Sequence, residues 1–546
     1  MPTPPHGQAY RPTVMGTHGC VAAAHPLAAL AGIQTLLQGG SAVDAACATS
    51  FALHVVEPYM SAPGGVATLL LTRRGVREAL VSTGRAPAGV DPGRLTAADL
   101  KGGPKSIGVP GLPAAIFALH ERYGTLPRAT ALAPAIRLAE EGFPLTWKNC
   151  EFFGKGREQL AHSTEAEQTF LHAGRLPRPG TVLVQKELGG TLRQLAEGGA
   201  EAFYRGPLAR AIARTVQERG GVLTEADLAA YAPAWGTPVA GRFRGHEVCV
   251  PPPPTNALQL LQTLHLLEGF DLRGFGHNSA DYLHHLIEAI KVASADRVAH
   301  GTGRGPVPIA GLLSPAYAAE RRRLIDPARA GVSGGERFER ARLPGEIPPG
   351  DPLGVKADFT KEHTTHFAVA DGDGTVVTVT QTLGSPFGSG VMVPGTGVLL
   401  NNMLMWSDLE PDSPVYLRAG ATLETRMSPT QVFRDGGFLL SIGTPGSFGI
   451  LQTTPQMLLN VLEFGMATQE AIEAPRVRVY RDRLVDVEGR IAPETREALA
   501  SRGHQVNVID DWSWIVGGGQ GIRRDPESGA LQGGGDPRRD GYAVAI

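Results

Sequence analysis

Cysteine is scarce in this chain. There are four in 546 residues, Cys20, Cys47, Cys150 and Cys249, far apart and without a CxxC pair. That spacing argues against a zinc ribbon or a dense disulfide framework, and free thiols in the core are expected instead. An excess of one charge is lacking too, because 51 Lys and Arg stand against 53 Asp and Glu for a formal net charge of −2. With no overall basic bias, nothing points to nucleic acid or to an acidic membrane surface. Long apolar runs are also missing. A bilayer span needs about 20 apolar residues, and the most apolar stretch, 22–37, is interrupted by His25, Pro26 and Gln34. The opening MPTPPHGQAYRPTVMG has no cationic start followed by an apolar run, so no secretory signal and a cytoplasmic location are the expectation. Small-molecule chemistry is what these absences leave.

Glycine (70) and proline (43) are abundant, but they are scattered through periodic apolar sequence, which means many tight turns rather than disorder. The pattern is helical from Ala22 to Gly39-Gly40, and again from Ser41 until Pro58 stops it. VATLLLTRRG and REALVSTGRAPAGV read as strands, the second ending in a loop that carries Arg85. That guanidinium suits a carboxylate fork or an ordinary surface ion pair. Helices follow through 106–150 and on to about Arg219, and the proline run at 251–254 introduces another. Ser279 can cap ADYLHHLIEAIKVASADRVAH, whose Leu283, Leu286, Ile287 and Ile290 form one core-facing stripe. His284, His285 and Glu288 lie on the same helix without HExxH spacing, so no metal site is expected there. From about Asp326 to Lys361 the composition turns to Arg, Gly, Pro and Glu, which reads as an exposed, mobile segment.

That segment runs straight into His363-Thr364, where β-structure begins and continues through VVTVTQTL, GVLLNNMLMW, TQVFRDGGFLLSIGTPGS and the closing DGYAVAI. Between His363 and Thr382, two β-type runs flank Asp371-Gly372-Asp373-Gly374, a strong hairpin signal. A loop of Gly372 to Gly374 sets Thr364 opposite Thr382, with two hydroxyls side by side. A four-residue loop would shift the register and turn Thr382 to the other face. If the peptide bond before Thr364 is cut, that residue carries a hydroxyl and a free α-amine of pKa about 7.7–8.0, nucleophile and general base together. The Thr364 hydroxyl can make that cut itself by attacking the His363 carbonyl. Downstream, Gly443-Thr444-Pro445-Gly446-Ser447 offers consecutive N–H groups at Gly446 and Ser447, as an oxyanion hole or as a plain strand-ending turn.

The run TTHFAVADGDGTVVTVTQTLGSPFGSG, with GVLLNN, MSPT, GTPGSFG and GDPRRDGYAVAI, resembles the γ-glutamyltranspeptidase family of N-terminal-nucleophile hydrolases. GGSAVDAACATSFALHVVEP, GVPGLPAAIFALHERYGTLP, PPPPTNALQLLQ and SADYLHHLIEAIKVASADR extend the likeness over nearly the whole chain. The resemblance implies an α+β fold, an αββα sandwich of two stacked antiparallel sheets flanked by helices. It also implies self-cleavage at His363-Thr364 into a large subunit (1–363) and a small one (364–546). By the same likeness Thr364 is the nucleophile, Thr382 the hydroxyl that orients it, and Gly446 with Ser447 the oxyanion hole, where the family usually has Gly-Gly.

Departures from the family fall in the substrate pocket. Asn, Gln and Asp, which hold the glutamyl amine in glutathione-handling members, match Gly384, Met403 and Trp406 here, and Ser-Ser for the carboxylate matches Thr425-Arg426. Arg85, Trp406, Glu424, Thr425 and Arg426 are therefore the substrate-binding candidates, with Arg426 as a carboxylate fork and Glu424 as a charge for the amine or a surface residue. The segment from Trp406 to Met427 is about ten residues shorter than in lidded members, so the site is expected to be open. The expected activity is hydrolysis of γ-glutamyl amides such as glutathione, with weak transpeptidation. Alternatives are an acylase for glutaryl or cephalosporin-type amides and an uncleaved, non-catalytic binding scaffold. No cofactor, metal, nucleic acid or membrane is expected. The partners implied are the small acyl amide and the two cleaved subunits, which could further pair as a dimer of heterodimers.

Overall fold

In the computed structural model, which describes residues 9–301, 306–337, 341–352, 364–413 and 415–546, the hairpin forms between strands Thr365–Asp371 and Val376–Thr382. Gly374 takes φ +85°, the left-handed value that ends a three-residue hairpin loop. The Asp371 N–H donates to the Thr375 carbonyl at 3.1 Å, and the Thr375 N–H donates to the Asp371 carboxylate at 2.8 Å. Pairing runs from Thr365 with Gln381 to Ala370 with Val376. Continued by one residue, it sets Thr364 opposite Thr382, as the three-residue loop requires.

This hairpin is the middle of a seven-stranded sheet. Its order is Tyr542–Ala545, Gly19–Ala23, Thr365–Asp371, Val376–Thr382, Val66–Arg73, Val76–Ser82 and Ala234–Gly236. A second sheet runs Val14–Gly16, Leu531–Gly535, Gln520–Arg524, Gly437–Gly443, Thr430–Arg434, His246–Val250 and Val239–Phe243. Neighbours in both sheets are antiparallel. Strand alternation sends odd-numbered residues of Thr365–Asp371 one way and even-numbered ones the other. Phe367 and Val369 join a core with the helices Pro26–Leu37, Ala42–Val56 and Leu112–Tyr123. Ala368 and Ala370 meet Ile522 and Leu531 of the second sheet. That sheet's other face, with Val248, Val432 and Ile442, packs on Leu258–Leu267, Ala280–His300 and Ile450–Leu462. The layers are helix, sheet, sheet, helix.

Several elements follow their local signals. Ser41 and Asp44 form a capping box at the start of Ala42–Val56, and the Ser279 hydroxyl accepts the Tyr282 N–H at 3.1 Å. Leu283, Leu286, Ile287 and Ile290 are buried, and Cys20, Cys47 and Cys249 are buried free thiols, with Cys150 partly so.

Three expectations need correction. The helix expected from Ala22 starts at Pro26, and Gly19–Ala23 is a strand. It is buried on both faces, so it shows no alternation to separate it from helix. GVLLNNMLMW gives only the two-residue strand Val398–Leu399 before a 3-10 turn, Met403–Trp406. The span from Asp326 is not wholly exposed. Ala330, Val332 and Ser333 are buried, Ser333 and Asp482 exchange backbone hydrogen bonds of 2.7 and 2.9 Å, and Lys291 donates to the Gly331 carbonyl at 2.8 Å. Backbone pairing rather than apolar periodicity docks this stretch. Residues 353–363, including His363, lie outside the described residues.

Candidate active site

Thr364, His366, Thr380 and Thr382 share the face of the hairpin that looks toward the second sheet, and all are buried. The Thr382 hydroxyl accepts the Gly384 N–H at 2.9 Å, which fixes its side chain at the strand end. His366 Nδ1 lies 2.9 Å from Thr380 Oγ1. Burial pushes the His366 pKa down to about 3. So weak a base is poorly suited to take a proton near neutral pH. His366 also ties the sheets together, because any Cβ at Gly443 would collide with its ring.

Gly443 ends the central strand of the second sheet and begins the turn. Gly446 (φ +127°) and Ser447 (φ +63°) both take left-handed backbone. The Thr444 hydroxyl accepts the Gly518 N–H at 2.8 Å, which pins the turn against 517–518. Neither the Gly446 nor the Ser447 N–H donates to a backbone carbonyl among the described residues. A short 3-10 turn, Ser447–Gly449, leads on into the helix Ile450–Leu462. Two N–H groups at the head of a helix favour developing negative charge.

A wall closes the other side. Asn402 donates to the Lys101 carbonyl at 2.7 Å and accepts the Ser385 N–H at 2.9 Å. Gly384 (φ +103°) packs so closely that a Cβ there would strike Asn402 Oδ1. Asn401 donates to the carbonyls of Gly64 (2.7 Å) and Gly108 (2.9 Å). The Trp406 indole N–H points at Met403 Sδ, 3.1 Å away. The Arg426 guanidinium lies 4.6 Å from the Trp406 ring centre and 4.5 Å from that of Phe448, and 2.9 Å from Glu424 Oε1. Phe448 follows Ser447 in the chain, so the wall and the turn are contiguous.

The other candidates are placed differently. Thr425 acts through its backbone, which pairs with Pro254 and Asn256, while its hydroxyl accepts the Met427 N–H at 2.9 Å. Arg85 bridges Val109 and Thr422 by its backbone, but its side chain is exposed, 6.0 Å from the Tyr231 ring centre. It therefore adjoins the segment leading to Glu424 without its guanidinium joining the buried group.

Sequence reasoning missed Glu57. On the helix-facing side of the hairpin, Thr365 donates to Glu57 Oε2 at 2.7 Å, and Gln381 accepts from Ser50 Oγ at 2.6 Å. Burial raises the Glu57 pKa from 4.5 to about 7, against the Thr365 hydrogen bond and the Arg539 charge, which lower it. The only local signal was a glutamate before Pro58. His504 was missed as well: with His284 and Glu288 it forms a buried cluster within 4.8 Å. There His284 Nδ1 lies 2.8 Å from His504 Nε2, and Glu288 holds Lys291 at 2.8 Å.

Comparison with known proteins agrees with this geometry. Residues 28–546 match the family model described as gamma-glutamyltranspeptidase. The chain is 35% identical to an acylase ACY 1 proenzyme of Pseudomonas sp. (strain SE83), covering 97% of this chain and 94% of that one. It is 32% identical to a glutathione hydrolase proenzyme of Bacillus subtilis (strain 168), covering 98% and 93%. The crystal structure of a cephalosporin acylase from Bacillus halodurans superposes with a TM-score of 0.88 at 34% identity, covering 100% of this chain and 99% of the other.

Proposed function

The chain belongs to the γ-glutamyltranspeptidase family, and on that premise we propose that it is a self-processing amidohydrolase whose nucleophile is Thr364, working as subunits 1–363 and 364–546. The observation that carries this reading is the hairpin register, which sets Thr364 opposite Thr382 at the buried head of the central strand.

In maturation the Thr364 hydroxyl adds to the His363 carbonyl carbon, the nitrogen of Thr364 leaves with a proton, and water hydrolyses the resulting ester. In turnover the freed α-amine takes the hydroxyl proton while Oγ attacks the substrate amide. The carbonyl π-electrons move to oxygen, where the Gly446 and Ser447 N–H groups stabilise them. Collapse expels the amine with the proton, and water repeats the sequence on the acyl-enzyme. Thr382 orients the nucleophile, and Arg426 draws the acyl chain's far carboxylate. The substrates are γ-glutamyl amides of the glutathione type, with transfer to amines secondary.

A second reading, an acylase for glutaryl or cephalosporin-type amides, is favoured by one feature of the wall. An α-ammonium would meet the Trp406 indole and the Met403 thioether there, and the nearby carboxylate, Glu424, is already paired with Arg426. Turnover of γ-glutamyl against glutaryl anilides separates the two, and inertness toward both would sink the substrate assignment. Intact mass tests the processing: wild type should give fragments 1–363 and 364–546, whereas Thr364→Ala should stay whole and lose activity by about 10⁴-fold or more. A persistent full-length wild type would favour a binding scaffold.

A further inference from the structure

Ser447 is oddly chosen for its position. Its φ of +63° lies in the left-handed region, which glycine occupies freely and a residue with a Cβ enters only at a steric cost. Its hydroxyl adds a second cost. Ser447 is buried, and Oγ has no hydrogen-bond partner among the described residues. A buried hydroxyl left unpaired gives up its bonds to water and gains none in return. Glycine would remove both costs and keep the N–H. The turn therefore carries a strained, unsatisfied side chain where its backbone alone would suffice for the role already given to it.

Backbone strain of this kind, held in place by its surroundings, collects where it serves a ligand. Here the surroundings are well defined. The Thr444 hydroxyl pins the turn to Gly518, the Gly449 N–H donates to the Gly446 carbonyl at 2.9 Å, and Phe448 is clamped under Arg426 at 4.5 Å. Oγ stands three bonds from the N–H of its own residue, so one acceptor atom can take both protons.

We propose that the Ser447 hydroxyl is a third donor in the oxyanion hole, supplementing the N–H groups of Gly446 and Ser447. This rests on the reading of Thr364 as nucleophile. When Thr364 Oγ bonds to the carbonyl carbon and its proton passes to the α-amine, the oxygen that gains the electron pair accepts the Ser447 O–H. On collapse the pair returns to the C=O bond, the amine leaves with the proton, and Ser447 keeps its own proton throughout. The hydroxyl thus finds its partner only while the tetrahedral species exists, so it acts on kcat rather than on substrate binding.

The test compares Ser447→Ala, which removes the hydroxyl and keeps the Cβ, with Ser447→Gly, which also removes the strain and should fold at least as well as wild type. Both are assayed in the self-cleaved enzyme on whichever anilide wild type turns over, and with an ω-carboxyalkyl boronic acid, which forms a tetrahedral adduct on Thr364. The expected result is a fall in kcat of about 100-fold in both variants, the scale of one oxyanion donor. KM should change less than about threefold, and boronate affinity should fall by the same factor as kcat. Self-cleavage, followed by intact mass, should slow in parallel. Retention of kcat within about threefold by Ser447→Ala overturns the proposal, as does a Ser447→Gly enzyme that matches wild type. Failure of the reading beneath it looks different, because then wild type itself neither cuts nor turns over either anilide.

Discussion

The hairpin that carries Thr364 and the wall that carries Trp406, Glu424 and Arg426 are both buried, yet they are built on opposite principles. On the hairpin the threonines and Gln381 make mostly neutral hydrogen bonds: Thr380 with His366, Thr382 with the Gly384 N–H, Gln381 with Ser50 and Ser61. In the wall a full charge pair is buried, and its guanidinium lies against two aromatic rings. A neutral hydrogen-bond network fixes side chains at small cost, which suits the ground around the proposed nucleophile, Thr364. A buried ion pair is expensive to desolvate, and here it lies beside the turn where the acyl chain is proposed to bind. The first region is suited to taking an acyl group, the second to choosing one.

Breaking the wall should have the larger effect on stability. Arg426→Ala leaves Glu424 buried beside an empty space, and removing one partner of a buried pair costs about 3–5 kcal/mol. Chemical denaturation of the mature enzyme measures it. Adding Glu424→Gln should recover a good part of the loss while KM for a carboxylate-bearing anilide stays high. If the double variant is no more stable than the single one, the pair is not the structural unit described.

Glu57 sharpens the comparison, because it is a strained acid on the hairpin side. Its pKa is raised from 4.5 to about 7 by burial. The folded state then holds a proton that the unfolded state releases, so the stability it contributes is present below pH 4.5 and lost as pH rises toward 7. The loss levels off above that at about 3 kcal/mol. Gln at this position keeps the acceptor for Thr365 and does not titrate. Glu57→Gln should therefore match wild type near pH 4.5 and exceed it by up to about 3 kcal/mol above pH 7, read as denaturation midpoints across pH. A difference that does not change with pH would refute the titration.

These two regions were not equally legible in the sequence. The hairpin was, because Asp-Gly-Asp-Gly marks its turn, but the register stood open between a three- and a four-residue loop until the structure showed three, closed by Gly374 at φ +85°. The αββα layering came through the family resemblance. Gly19–Ala23 was hidden because a strand buried on both faces has no period to read. Glu57 was hidden because its partner, Thr365, is 308 residues away, and only the paired sheet brings them together. The wall was half legible: Trp406 and Arg426 stood out as departures, but the stacking of one on the other, with Phe448 beneath, depends on three separate loops converging.

The smallest predicted effect tests whether the hairpin's neutral network does more than hold shape. Thr382→Val is nearly isosteric, keeps the β-branched fit to a central strand and removes only the hydroxyl. The Gly384 N–H loses its acceptor, and Thr364 loses the oxygen set opposite it by the register. One hydrogen bond is worth about 0.5–1.5 kcal/mol, so kcat and the rate of self-cleavage should each fall roughly tenfold, with Thr382→Ser close to wild type. Both rates matter, since in the proposed self-cleavage the Thr364 hydroxyl acts before any free amine exists. A parallel fall in the two means that Thr382 orients the hydroxyl itself. A fall in turnover alone would mean that it acts on the amine, and the two hydroxyls would then be neighbours without being partners.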